Sequence, residues 1–203
     1  MSRLNILITA VFVTACGSLF AEPAAALQAL LQPVAAIKAN FKQTVYNERQ
    51  KVIQTASGNL EFKRPNLFRW QVELPDANLV VTDGNKLWNY DVELEQVTVQ
   101  DFTDNKQVSP VSVLFDDVRK LKQDFIIIKS GNNNFKLTPR KENSNFVNVE
   151  ITFKANKISA LRLLDHLNQT SVFDFKQVQN NPKLANTRFT FVPPAGVDVI
   201  SEL

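Results

Sequence analysis

From residue 39 onward the chain alternates apolar and polar side chains with period two, and turn signals interrupt the alternation at short intervals. Successive side chains of an extended segment point to opposite sides, so each such segment has one face that must be buried. The pattern predicts strands near 39–46, 51–63, 67–74, 79–83, 86–91 and 96–101. A second group follows near 125–130, 135–139, 146–154, 158–165, 169–177 and 187–192. Asp83-Gly84-Asn85 marks one hairpin turn and Ser130-Gly131-Asn132-Asn133-Asn134 another. About a dozen sequential strands with short connections curl into a barrel or a strongly bent sheet.

Two segments break the alternation. AAALQALLQPVAAIKANF, which opens at residue 24, carries Leu27, Leu30, Leu31, Val34 and Ile37 at spacings that fit one face of an amphipathic helix. Pro33 should end or kink that helix. SPVSVLFDDVRKLK, from residue 109, opens with Ser109 before Pro110 and carries Val113, Leu114, Val118 and Leu121, as a second short helix would. Two helices are too few to cover both faces of a large sheet. The expected architecture is therefore mainly β: an incomplete, half-open antiparallel barrel whose concave apolar face is covered by a helical lid. No repeat, linker or low-complexity stretch divides the chain, and its 203 residues suit one domain over 22–203.

The first 21 residues read as a secretory signal peptide: Arg3, the apolar run LNILITAVFVTA, then small residues. Cutting after Ala21 leaves a chain that starts at Glu22 without cysteine. A second reading takes Val13-Thr14-Ala15-Cys16 as a lipoprotein signal, with Cys16 acylated and first in the mature chain. Either way no disulfide is available, and stability must come from packing. Nothing later in the chain approaches ~18 consecutive apolar residues. Removing the first 21 residues takes away Arg3 and no acid, so the formal charge falls from +3 to +2. Basic residues are scattered among acids, without the concentrated footprint that nucleic-acid binding needs. Fifteen Phe against a single Met make rigid aromatics the main bulky apolar surface, either as ordinary core or as the wall of an apolar chamber.

Candidate chemistry concentrates in SGNLEFKRPNLFRWQVELP, which starts at residue 57. One strand face carries Leu60, Phe62 and Arg64, and the other carries Asn59, Glu61 and Lys63. Arg64 should thus project on the apolar side, where its five donors would suit free carbonyls at helix ends. Alternatively Pro65 breaks the strand and Arg64 turns into solvent, or its stem snorkels. Phe68, Trp70, Val72 and Leu74 form a second apolar stripe, and Trp88 and Tyr90 mark a third. His166, the only histidine, sits beside Asp165 at a strand end or turn. No G-x-S-x-G elbow, zinc-ligand spacing or phosphate-binding glycine loop accompanies it, which argues against a secreted lipid hydrolase and against any metal or cofactor.

KRPNLFRW at 63–70, VVTDGNKLWNYD at 80–91, LTPR at 137–140 and FTFVPPAGVDVI at 189–200 together resemble the periplasmic outer-membrane lipoprotein carrier (LolA) family, over about residues 22–200. The resemblance implies a non-enzymatic carrier that hides the acyl chains of lipoproteins in an apolar cavity. It implies three partners: acylated lipoproteins, an inner-membrane lipoprotein-releasing ABC transporter complex and an outer-membrane lipoprotein acceptor. Arg64 takes the position of the family arginine that holds the lid shut, and Phe68 that of a phenylalanine on the cavity side. Leu60, Phe62, Trp70, Val72, Trp88 and Tyr90 would line the cavity, with Leu27, Leu30, Leu31, Val113 and Leu114 on the lid. A Cys16-anchored acceptor is the neighbouring reading, and a sensor of similar shape would carry a second domain. A monomer is expected, since the aromatic surplus is assigned to the concave face.

Overall fold

The computed structural model describes residues 22–102, 121–141 and 144–201. The proposed leader with Cys16, and Val113 and Leu114 with most of the second predicted helix, lie outside the described residues.

Helix α1 spans Pro23–Leu31. Pro at its first turn costs no hydrogen bond, and the Ala/Leu run that follows has high helix propensity. Gln32 N–H closes the end by donating to Gln28 O at 2.8 Å. Pro33 has no N–H to continue the ladder. Val34 and Ile37, expected on the helix stripe, are therefore not helical: Val34 lies in the connection and Ile37 in the first strand. Both are buried.

Among the described residues, twelve strands form one sheet: β1 Ala36–Tyr46, β2 Val52–Lys63, β3 Leu67–Leu74, β4 Asn78–Thr82, β5 Lys86–Asp91, β6 Gln96–Asp101, β7 Phe125–Ser130, β8 Asn134–Pro139, β9 Asn148–Lys154, β10 Lys157–Leu164, β11 Thr170–Asn180 and β12 Asp198–Ser201. The spatial order is β12-β6-β5-β4-β3-β2-β1-β11-β10-β9-β8-β7, so β12 and β7 are the two edges and the sheet does not close into a barrel. All pairs are antiparallel except β12 on β6. A short helix, α2, spans Leu121–Asp124 and buries Leu121.

The predicted turns lie where their chemistry requires. Asp83 Oδ1 accepts from Asn85 N at 2.8 Å and Lys86 N at 2.9 Å, with Gly84 at φ 91°. That joins β4 to β5, and Gly131 at φ 69° serves the β7–β8 turn. Gly58 answers a different constraint: a Cβ there would meet Gln71 O at 1.8 Å, so the β3 backbone can lie this close to β2 only over glycine.

Directly paired residues share a face, and the register therefore sorts the sheet into two sides. One side carries Ile37, Ala39, Phe41, Leu60, Phe62, Phe68, Trp70, Phe135, Ile151, Leu161 and Phe173, all in one buried cluster with Leu27 and Leu31 of α1. The other side is crossed by a C-terminal strap, residues 181–197. The strap contains a 3-10 turn, Asn186–Phe189, where a strand near 187–192 was predicted; the last strand is instead β12. Alternation in FTFV misled that reading. Phe189 is fully buried against Ala36 and Leu67 rather than paired in a ladder, and Phe191 packs on Trp88 and Tyr90 at ring distances of 6.4 and 5.8 Å.

Candidate functional site

The α1 side of the sheet is the larger apolar surface. Leu27 and Leu31 are buried there and Leu30 is half-buried against the same cluster. Beneath them, Leu60, Phe62, Phe68 and Trp70 alternate along β2 and β3, with Val72 half-buried at the end of the stripe. Trp70 stacks on Phe41 at 3.8 Å and meets Phe173 edge-on at 5.6 Å, which ties β3 across β1 to β11. Phe68 extends the stack at 6.4 Å. Aromatic pairs add ~0.5–1.5 kcal/mol each beyond area burial.

Polar contacts converge on the connection between α1 and β1. Arg64, half-buried just beyond β2, donates from Nε to Val34 O at 3.0 Å, and its guanidinium lies 5.7 Å from the centre of the Phe62 ring. Its backbone N–H donates to Ala35 O at 2.8 Å. From the other flank, Asn181 Oδ1 accepts from Ala35 N at 2.7 Å and from Ala36 N at 3.2 Å, while its Nδ2 donates to Pro33 O at 2.9 Å. Sequence reasoning missed Asn181. The only signal was Asn180-Asn181-Pro182, a turn dipeptide, and Asn181 does adopt the left-handed conformation at φ 55° that asparagine tolerates. At the other end of α1, Lys122 of α2 pairs with Glu22, which precedes the helix.

Trp88 and Tyr90 are not part of this surface, contrary to the expectation from sequence. Trp70 pairs with Val80, and Val80 with Asn89, so it is Asn89 that shares the Trp70 side. Trp88 pairs with Val81, which pairs with Arg69, and both aromatics of β5 therefore face the strap. A stripe read strand by strand has no way to show which of its two faces joins the stripe of the next strand.

The strap side is held by charge. Glu61, only 3% exposed, accepts two bonds from Arg188: Nε at 2.5 Å and Nη2 at 2.7 Å. Lys38 adds an ion pair at 3.2 Å. Burial pushes the Glu61 carboxyl up, but the hydrogen bonds from Arg188 and Lys38 outweigh it and hold the group below the usual carboxylate value. Arg188 is raised in turn by its hydrogen bond to Glu61. Lys63 Nζ donates to Leu184 O at 3.1 Å and Asn186 Oδ1 at 2.8 Å.

His166 is exposed in the turn between β10 and β11, where Nε2 donates to Ser144 O at 2.8 Å. Its neighbour Asp165 accepts from Leu167 N and Gln169 N, so that carboxylate serves the turn. Among the described residues no cluster of three His, Cys, Asp or Glu side chains could hold a metal.

The model of the family described as outer membrane lipoprotein carrier protein LolA matches residues 32–192. The chain is similar to proteins named outer-membrane lipoprotein carrier protein from Nitrosospira multiformis, at 38% identity over 87% of both chains, and from Pseudomonas aeruginosa, at 34% over 90% of both. A counterpart from Coxiella burnetii is 33% identical, covering 87% of this chain and 85% of its own. Among solved structures, an uncharacterized conserved protein from Thermus thermophilus shares the fold, with a TM-score of 0.54 at 15% identity, over 87% of this chain and 99% of that one.

Proposed function

Because the chain belongs to the outer membrane lipoprotein carrier protein LolA family, we propose that it is a periplasmic carrier, not an enzyme, and that it takes the acyl chains of lipoproteins onto the sheet face beneath α1. The observation that carries this reading is the pairing of a continuous apolar wall, Leu60, Phe62, Phe68 and Trp70, with a nine-residue helix lying on it. Each acyl methylene withdrawn from water is worth ~0.8 kcal/mol, so a dozen represent on the order of 10 kcal/mol. An uncovered wall of that size would invite aggregation. A short cover, seated by a few leucines and by polar contacts at its hinge, resolves the conflict: it shields the wall when empty and yields to a lipid.

In this reading Arg64 and Asn181 set how easily α1 moves, and Phe68 lies on the acyl-facing side. Loading falls to an inner-membrane lipoprotein-releasing ABC transporter complex and unloading to an outer-membrane acceptor of higher affinity, so no nucleotide chemistry is required of the carrier. The mature chain runs from Glu22 as one monomeric carrier domain, released by cleavage after Ala21. The test is capture of a purified triacylated lipopeptide, read as co-elution with the protein in detergent-free gel filtration. Co-elution of the acylated peptide, but not of the same peptide without its acyl chains, is expected. Equal behaviour of the two peptides would overturn the proposal. Mass spectrometry of the mature N-terminus distinguishes Glu22 from an acylated Cys16.

A further inference from the structure

The strap side holds a second, chemically different site. Lys38, Glu61 and Arg69 form one cross-strand row on β1, β2 and β3, and Asn59 and Gln71 pair in the adjacent row of the same face. Arg188 closes over them from the strap, and the six side chains line a cavity of about 150 Å³. A single water needs only ~10–15 Å³, so the space admits a group of several heavy atoms.

Three cations surround one carboxylate there. Glu61 is already engaged on both oxygens by Arg188 and on one by Lys38. Arg69 is half-buried, and its hydrogen bond runs to the neutral Gln71 Oε1 at 3.3 Å. Among the described residues no carboxylate lies within 4.0 Å of it. Burial holds its pKa below the usual arginine value, with Arg188 pushing the same way against Glu61. Donors are also in surplus, because an arginine carries about five N–H donors and a lysine about three. Arg188 commits two of its donors to Glu61, and Arg69 one to Gln71. A cavity walled by cations with unspent, differently directed donors suits a multivalent oxyanion better than a neutral ligand or a cation.

We propose that this pocket binds a phosphoryl oxyanion, held chiefly by Arg69 with Lys38 and Arg188. Free phosphate and the head group of an anionic phospholipid present the same chemistry. The site is built from the opposite face of the strands that carry Leu60, Phe62, Phe68 and Trp70, and it does not depend on what the α1 side binds.

The test uses the purified mature chain in two arms at constant ionic strength: thermal melting against inorganic phosphate with chloride as reference, and flotation with vesicles of phosphatidylglycerol in phosphatidylcholine against phosphatidylcholine alone. Phosphate should raise the melting temperature of the wild type. Arg69→Gln should weaken that response about tenfold or more, the loss expected for one charge-assisted contact. Without phosphate, this variant should melt no lower than wild type, since it removes an uncompensated cation. Lys154→Gln, an exposed control at the end of β9, should respond as wild type does. Flotation with the anionic vesicles that phosphate reverses assigns the head group as the source, and a phosphate shift without flotation assigns the free ion. Absence of both signals in the wild type overturns the proposal. So does an equal loss in Lys154→Gln, which would reduce the effect to general charge. Should Arg69→Gln fail to fold, Lys38→Gln, on a half-exposed side chain, carries the same comparison.

Discussion

Replacing Arg64 with leucine removes the side-chain contact that pins the α1–β1 connection and leaves the surrounding ladder in place. The bond lost is Nε to Val34 O at 3.0 Å, together with the guanidinium 5.7 Å from the Phe62 ring centre. The backbone bond from Arg64 N to Ala35 O survives any substitution other than proline. A hydrogen bond from a charged donor is worth ~1.5–3 kcal/mol and an exposed cation–π contact ~0.5–1. Arg64 is half-buried, so solvent takes part of that sum and ~2 kcal/mol is the working value, or about thirtyfold in an opening equilibrium. Native-state hydrogen exchange resolves the effect by region. The amides of Ala26 and Gln32, bonded within or at the end of α1, should exchange about thirtyfold faster in Arg64→Leu. Those of Ile151 and Leu161 in β9 and β10 should keep wild-type rates. Arg64→Lys, which keeps a donor but not the fork, should fall between the two. Unchanged exchange in α1, or uniform acceleration through β9 and β10, would refute the assignment of Arg64 to the hinge.

Three further outcomes follow from the same geometry. Asn181→Ala deletes three side-chain bonds to residues 33–36 and should cost ~1–2 kcal/mol in denaturant melts, with faster exchange in α1 like that of Arg64→Leu. The lowered pKa of Glu61 means that the unfolded chain binds the proton more readily, so the contribution of this group is present above the ordinary carboxylate pKa and is lost as pH falls through the folded value. Glu61→Gln should therefore be less stable than wild type at pH 7 and show a shallower acid limb in melts taken from neutrality downward; parallel acid limbs would contradict the lowered pKa. Trp70→Ala should abolish capture of an acylated lipopeptide, while Trp88→Ala, on the strap side, should keep capture despite some loss of stability; the reverse pattern in the co-elution assay would place the acyl site on the wrong face.

Period-two alternation and the Asp83-Gly84-Asn85 and Gly131 turns made the strands legible residue by residue, because strand periodicity and turn backbone are local properties. Most strand ends lie within a residue or two of expectation. Pro33 likewise told where α1 must stop. The family motif KRPNLFRW was readable because it is contiguous, and its alternation already placed Leu60 and Phe62 apart from Glu61. The C-terminal strap was not readable. FTFV alternates like a strand, yet Phe189 and Phe191 spend that pattern on two separate contacts across the sheet.

What local sequence governs here is which residues are extended, where the chain turns, and which neighbours share a side within one strand. Register between strands decides the rest: that Trp88 joins Arg69 rather than Trp70, that Asn181 meets a hinge almost 150 positions earlier in the chain, and that three cations gather around Glu61. The side-chain period of a strand is two, so each pairing carries a binary choice of face that the strand does not encode alone. Only the assembled sheet, with a helix on one side and a strap on the other, makes that choice for every strand at once.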